Sequence, residues 1–145
     1  MTEPIQAEVR IKAEFYDVDS LRVVWHGNYV KYLELARSAL LDMIGYNYRE
    51  MEEDGIAWPI VTIQIKYVRP IVLGQEVMAR ATLLEYEHRI KVAYVLSDAA
   101  AGTVLCKAET VQMGVEAATG KSLFVSPSRL IEAVRRRLDG KGNDK

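Results

Sequence analysis

The segment Asn28-Tyr-Val-Lys-Tyr-Leu-Glu-Leu-Ala-Arg-Ser-Ala-Leu-Leu-Asp-Met-Ile44, with Gly45 behind it, decides how this chain folds. Placed at the helical period of ~100° per residue, Lys31, Glu34, Ser38 and Asp42 fall in one stripe only ~80° wide. Apolar side chains occupy most of the remaining circumference. A surface helix has a wider polar side than that. This helix is therefore expected to be embraced by other structure. Asn28 suits the N-cap, where its side chain would accept a bond from an unpaired N–H of the first turn. Gly45 suits the position just past the end.

The flanks supply what embraces it. Ile5 to Phe15 alternates Val9, Ile11, Ala13 and Phe15 against Glu8, Arg10, Lys12 and Glu14, the period of a strand. Tyr16 to Gly27 keeps no period and reads as a loop. Tyr48 to Gly55 suits a short second helix. Ala57 to Arg69 then places Val61, Ile63, Ile65 and Tyr67 on one face, and Pro70 ends it because proline cannot donate to a ladder. Glu76 to Glu87, Arg89 to Ser97 and Thr103 to Val115 alternate in the same way, with a turn at Asp98 to Gly102. Short connections between the last three strands imply an antiparallel meander. Pro127 to Leu138 reads as a closing helix, with Ser126 as its cap and Pro127 at its first position.

Strand, long apolar helix, then four strands without crossover helices make an α+β class. A sheet curled around the helix satisfies both patterns. It leaves edges, which a second copy can pair, so a homodimer or homotetramer is expected. One domain covers 1–138, and the polar residues 139–145 are expected to form a flexible tail.

The chain has 145 residues, 50% of them apolar and 27% charged, which suits one globular domain with a core of its own. A formal charge of −1, from 19 basic and 20 acidic residues, provides no global attraction to nucleic acid or an anionic membrane. Cys106 is the single cysteine, which points to a reducing compartment. It reads as a small buried hydrophobe within a strand. No secretory signal stands at Met1 to Gln6, and no apolar run approaches the ~20 residues of a membrane helix. A cytoplasmic protein without stable membrane insertion is expected. No cofactor and no metal is expected.

Chemistry concentrates just before the long helix, in Tyr16 to Arg37. Asp17 and Asp19 lie in the loop, and His26, Gly27 and Asn28 lead into the helix. A helix N-terminus presents unpaired N–H groups and suits an anion, or a carbonyl oxygen gaining negative charge. Gly27 would let a ligand approach the backbone closely. A carboxylate near such donors is a minimal acyl-transfer site. Taken alone, two loop aspartates are more often turn formers. His26, Trp25, Tyr29 and Tyr32 are then more often capping, core or interface residues.

The pattern Asp17-x-Asp19-x5-Trp25-His26-x-Asn28-Tyr29-x2-Tyr32-x-Glu34-x2-Arg37 resembles the signature of hotdog-fold acyl-CoA thioesterases, in the 4-hydroxybenzoyl-CoA thioesterase family with the Tol–Pal-associated thioesterases. Tyr67-x-Arg69-Pro70-x3-Gly74, followed by Val77, agrees with it. The likeness runs from about Glu8 to Met113. It implies an antiparallel sheet wrapped around a long helix, and hydrolysis of an acyl thioester to free acid and coenzyme A. Asp19 matches the catalytic carboxylate, as nucleophile or general base. Asp17 matches a position that supports the loop. His26 matches the residue whose backbone N–H polarises the thioester carbonyl. The resemblance also implies a site at a dimer interface, with Pro59 to Thr62 of a second copy lining the acyl pocket. Trp25, Gly27, Asn28 and Tyr29 are expected to contact substrate. Many members carry glycine at the place of Arg22, which penalises arginine there if the site needs positive φ.

Coenzyme A carries several phosphates. Arg89 and Lys91, on one strand face, are the candidate cations for them, with Arg69 next. A solvated strand face is the competing reading. Arg135, Arg136 and Arg137 end a helix, where the dipole favours cations anyway. Three alternatives stay open: an acyl carrier protein as the carrier, a hotdog dehydratase using Asp19 and His26 as an acid–base pair, and a non-catalytic acyl-binding protein.

Overall fold

In the computed structural model, which describes residues 3–143, the long helix α1 spans Tyr29–Ile44. Tyr32, Leu33, Ala36, Leu40, Leu41 and Ile44 are buried along it. Gly45 ends it at φ 89°, donating its N–H to the carbonyls of Leu41 (3.0 Å) and Asp42 (3.1 Å). This left-handed turn favours glycine because no β-carbon is present to clash.

Strands β1 (Gln6–Lys12), β3 (Ile60–Tyr67), β4 (Glu76–Glu85), β5 (Ile90–Asp98) and β6 (Val104–Gln112) form one antiparallel sheet, ordered β1-β4-β5-β6-β3. Two-residue strands β2 (Ile56–Ala57) and β7 (Val115–Glu116) pair separately. Helices α2 (Tyr48–Asp54) and α3 (Ser128–Asn143) complete the order. Val77, Ala79 and Ala81 of β4, Ile90, Val92, Tyr94 and Leu96 of β5, and Cys106 and Ala108 of β6 are buried. Helix α1 lies against β1, β4, β5 and α3. Small side chains sit where α1 meets β4, since Ala36, Ala79 and Ala81 are all fully buried. Each large core side chain matters, as truncating a buried leucine such as Leu40 costs about 2–5 kcal/mol. The wrapped helix and its α+β class are the hotdog architecture expected from the sequence.

Four local expectations need correction. Phe15 is 76% exposed, because β1 ends at Lys12 and a 3₁₀ turn over Phe15–Asp17 breaks the alternation. Val61 and Ile63 are exposed although they share the apolar face of β3, for β3 is an edge strand and a register shift falls between Ile60 and Thr62. Ser126 does not cap α3, since its hydroxyl donates to the Tyr86 carbonyl (2.5 Å). The closing helix continues to Asn143, so residues 139–143 of the expected tail are helical, while 144 and 145 lie outside the described residues. Among the described residues, no helix is long and apolar enough to cross a membrane.

Candidate active site

The two loop aspartates occupy opposite environments. Asp17 is 2% exposed. Its carboxylate accepts the Glu14 N–H (3.0 Å) and the Tyr32 hydroxyl (2.9 Å), and it is ion-paired with Lys31. Its carbonyl accepts the Trp25 N–H (3.0 Å) and Asn28 Nδ2 (2.7 Å). Burial would raise its pKa, but Lys31, the Glu14 N–H and the Tyr32 hydroxyl together hold it below the ordinary value. Burial and the neighbouring Asp17 charge push the Tyr32 phenol up. Asp17 is a fully engaged anchor between the loop and α1.

Asp19 is exposed. Its Oδ1 accepts the Leu21 N–H (2.8 Å), its N–H donates to the Val23 carbonyl (3.0 Å), and its carbonyl accepts the Arg22 N–H (2.9 Å). This tight turn leaves Oδ2 with no protein donor among the described residues. Arg22 closes the turn at φ 65°, the left-handed region that glycine tolerates and a side chain with a β-carbon does not favour. The loop is tied down by Val24 N–H to the Ile71 carbonyl (2.7 Å) and Leu73 N–H to the Arg22 carbonyl (3.1 Å).

A second 3₁₀ turn, His26–Asn28, feeds α1. Asn28 does not act as the expected N-cap: it is already helical (φ −76°, ψ −13°) and its side chain is turned to Asp17. The N–H groups of His26 and Gly27 have no acceptor among the described residues. Gly27 also meets a steric need within the chain. A β-carbon there would stand 2.2 Å from the Trp25 ring, so the half-exposed indole itself fills that space.

Asp19, His26, Tyr29, Tyr67 and Arg69 line one cavity of about 320 Å³, with Val23, Val24 and Pro70 among its walls. The fold thus brings Asp19, the start of α1 and the end of β3 to one place. Tyr67 reaches across to donate its hydroxyl to the His26 carbonyl (3.0 Å), and its ring meets the Tyr29 ring edge-on at 4.7 Å. Sequence reading gave Tyr67 no role. Its only signal was a place in the second patch, because the contact joins residues 41 apart.

Other expected residues lie elsewhere. Arg89 pairs with Glu85 (3.0 Å) and Lys91 with Glu109 (3.7 Å). Through Ile90–Gln112–Ile60 they stand beside the far end of β3. That is roughly 23 Å from Tyr67 at ~3.3 Å per strand residue. Within one chain they do not join the cavity, whereas Arg69 does. Cys106 is buried, which pushes its thiol up to about 11 and leaves it protonated at neutral pH. A hollow of about 450 Å³ on the sheet, beside Lys66 and Lys107, holds none of the expected catalytic residues. Among the described residues, no cluster of three or more His, Cys, Asp or Glu could hold a metal ion.

Residues 13–138 match the model of the Thioesterase-like superfamily. YneP of Bacillus subtilis, provisionally named an acyl-CoA thioesterase, is 30% identical over 76 residues, covering 52% of this chain and 55% of that protein. The chain spans about half the length of the curated relatives it matches. The crystal structure of DHNA-CoA thioesterase from Staphylococcus aureus superposes with TM-score 0.81 at 22% identity, covering 97% of this chain and 95% of that one. Slr0204, a 1,4-dihydroxy-2-naphthoyl-CoA thioesterase from Synechocystis, gives TM-score 0.80 at 19% identity, covering 90% and 96%. At these identities the structural likeness speaks for the fold.

Proposed function

The chain belongs to the Thioesterase-like superfamily, and from that premise we propose that it hydrolyses an acyl thioester to a free acid and a thiol. The observation that carries this reading is the pairing, in one cavity, of a carboxylate oxygen without a protein partner with an uncapped helix start. The thioester carbonyl points its oxygen at the His26 N–H, which offsets the negative charge of the tetrahedral intermediate. Asp19 acts at the carbonyl carbon in one of two ways. As a base it takes a proton from water, and the hydroxide adds to the carbon. As a nucleophile its own oxygen adds, giving a mixed anhydride that water then cleaves. In both, the intermediate collapses by breaking the C–S bond, and the thiolate leaves and takes up a proton.

Coenzyme A is the carrier this reading favours, with the Arg69 cation lining the cavity. The edge strand β3, with Val61 and Ile63 exposed, is the surface on which a second copy would pair. Antiparallel pairing about a two-fold axis would set the Ile60 end of one β3 against the Tyr67 end of the other. That arrangement would bring Pro59 to Thr62, and the region of Arg89 and Lys91, from one copy toward the cavity of the other. The protein is accordingly read as a homodimeric or homotetrameric cytoplasmic enzyme.

The test is free-thiol release across short, long and aromatic acyl-CoAs, repeated with acyl carrier protein thioesters. Thiol release from CoA substrates is expected. Preferential release from the carrier protein would move the assignment to that carrier. Conversion of the acyl chain without thiol release would instead support a dehydratase, and binding without turnover a non-catalytic acyl-binding protein.

A further inference from the structure

We propose that Tyr67 is a positioning residue for the oxyanion site, and that the Gly27 N–H is a second oxyanion donor, held and polarised through it. The inference rests on the thioesterase reading. The His26 carbonyl and the Gly27 N–H belong to one peptide unit. Its oxygen accepts two bonds, from the Tyr67 hydroxyl (3.0 Å) and from the Tyr29 N–H. Its N–H has no acceptor among the described residues. Bonds accepted at a peptide oxygen polarise the amide and strengthen what its N–H donates. The same bonds fix the peptide plane, and so the direction of the N–H.

Burial does not account for the bond. Tyr32, Tyr46 and Tyr94 are at most 1% exposed and need partners for their hydroxyls, whereas Tyr67 is 47% exposed and has water within reach. Its hydroxyl is nevertheless directed at the carbonyl of His26, a residue that lines the cavity and shares this peptide unit with the Gly27 N–H. The ring is aimed by edge contacts with Tyr29 (4.7 Å) and His26 (6.4 Å). The other half of the turn is set by Trp25, whose indole leaves room only for glycine at position 27.

Tyr67→Phe keeps the ring contacts and removes the hydroxyl. The expected result is a kcat lower by about tenfold with KM within about twofold of wild type. A merely structural clip would not move the second readout, the infrared C=O stretch of a ¹³C-labelled acyl thioester bound to Asp19→Asn protein. Adding Tyr67→Phe to that background should return the band toward its frequency in water. An unchanged band, or a fall in kcat matched by an equal rise in KM, would overturn the proposal. If wild type releases thiol and Tyr67→Phe is indistinguishable from it, this inference alone fails. If wild type releases thiol from no thioester, the functional reading fails and takes this one with it.

Discussion

Two helices of this chain begin beside an asparagine, and the two asparagines do opposite things. Asn47 closes its helix: its side chain accepts the Tyr48 N–H (2.8 Å), and its own N–H is held by Glu50 Oε1 (2.8 Å) in a capping box. Its amide also donates to Asp42 (2.7 Å) and to Ser38 of α1. Asn28 leaves its helix open, because it holds the Asp17 carbonyl and lets the N–H groups before it face outward. The first arrangement satisfies every local donor it can and belongs to stability. The second leaves donors unused beside a cavity and a carboxylate, the pairing on which the proposed chemistry rests.

The contrast can be broken in steps. Among changes acting on stability, the largest is expected at Asp17, which ties the open end together. Asp17→Asn should cost about 2 kcal/mol, after discounting the half-exposed Lys31 for solvent screening. The folded-state pKa of Asp17 lies below its ordinary 3.8. A lowered carboxyl contributes stability that is present above the unfolded-state value and lost as pH falls through the folded-state value. The gap between wild type and Asp17→Asn in urea unfolding should therefore hold from pH 7 to about 5, begin to shrink near about pH 4, and close only once the pH has fallen through the lowered folded-state value.

Next comes the exchange between the asparagines. Asn47→Ala should lower stability by about 1 kcal/mol, the usual worth of a cap, and leave kcat within about twofold. Asn28→Ala should do the reverse, lowering kcat by about tenfold through misplacement of the loop with a smaller change in unfolding midpoint. The smallest effect is expected at Arg22→Gly, which relieves a positive φ. It should raise stability by about 0.5–1 kcal/mol, measured in the same unfolding experiment.

Much of this architecture was legible because it repeats. The long helix shows its period over four turns and its stop at Gly45, and β4, β5 and β6 show theirs over eight residues or more. What was not legible depends on where the chain goes next. Phe15 continues the alternation of β1 in sequence but sits past its last ladder pair. Val61 and Ile63 read as core, because an apolar strand face looks the same whether this chain or another covers it. Asn28 has the composition of a cap, and only the position of Asp17 shows that its side chain is committed elsewhere. Of the cavity, Asp19, His26 and Tyr29 were readable as neighbours in sequence. Tyr67 ends β3 and Arg69 follows it, both on the far side of two helices in the chain, and no spacing rule joins them to the loop.

The most direct measurement is a paired one on the two aspartates, steady-state thiol release alongside thermal unfolding. Asp19→Asn should lower kcat by about 10²–10⁴-fold, with KM and the unfolding midpoint near those of wild type. Asp17→Asn should lower the midpoint while the molecules that remain folded keep most of their turnover. An Asp19→Asn protein that keeps most of its kcat would contradict the account.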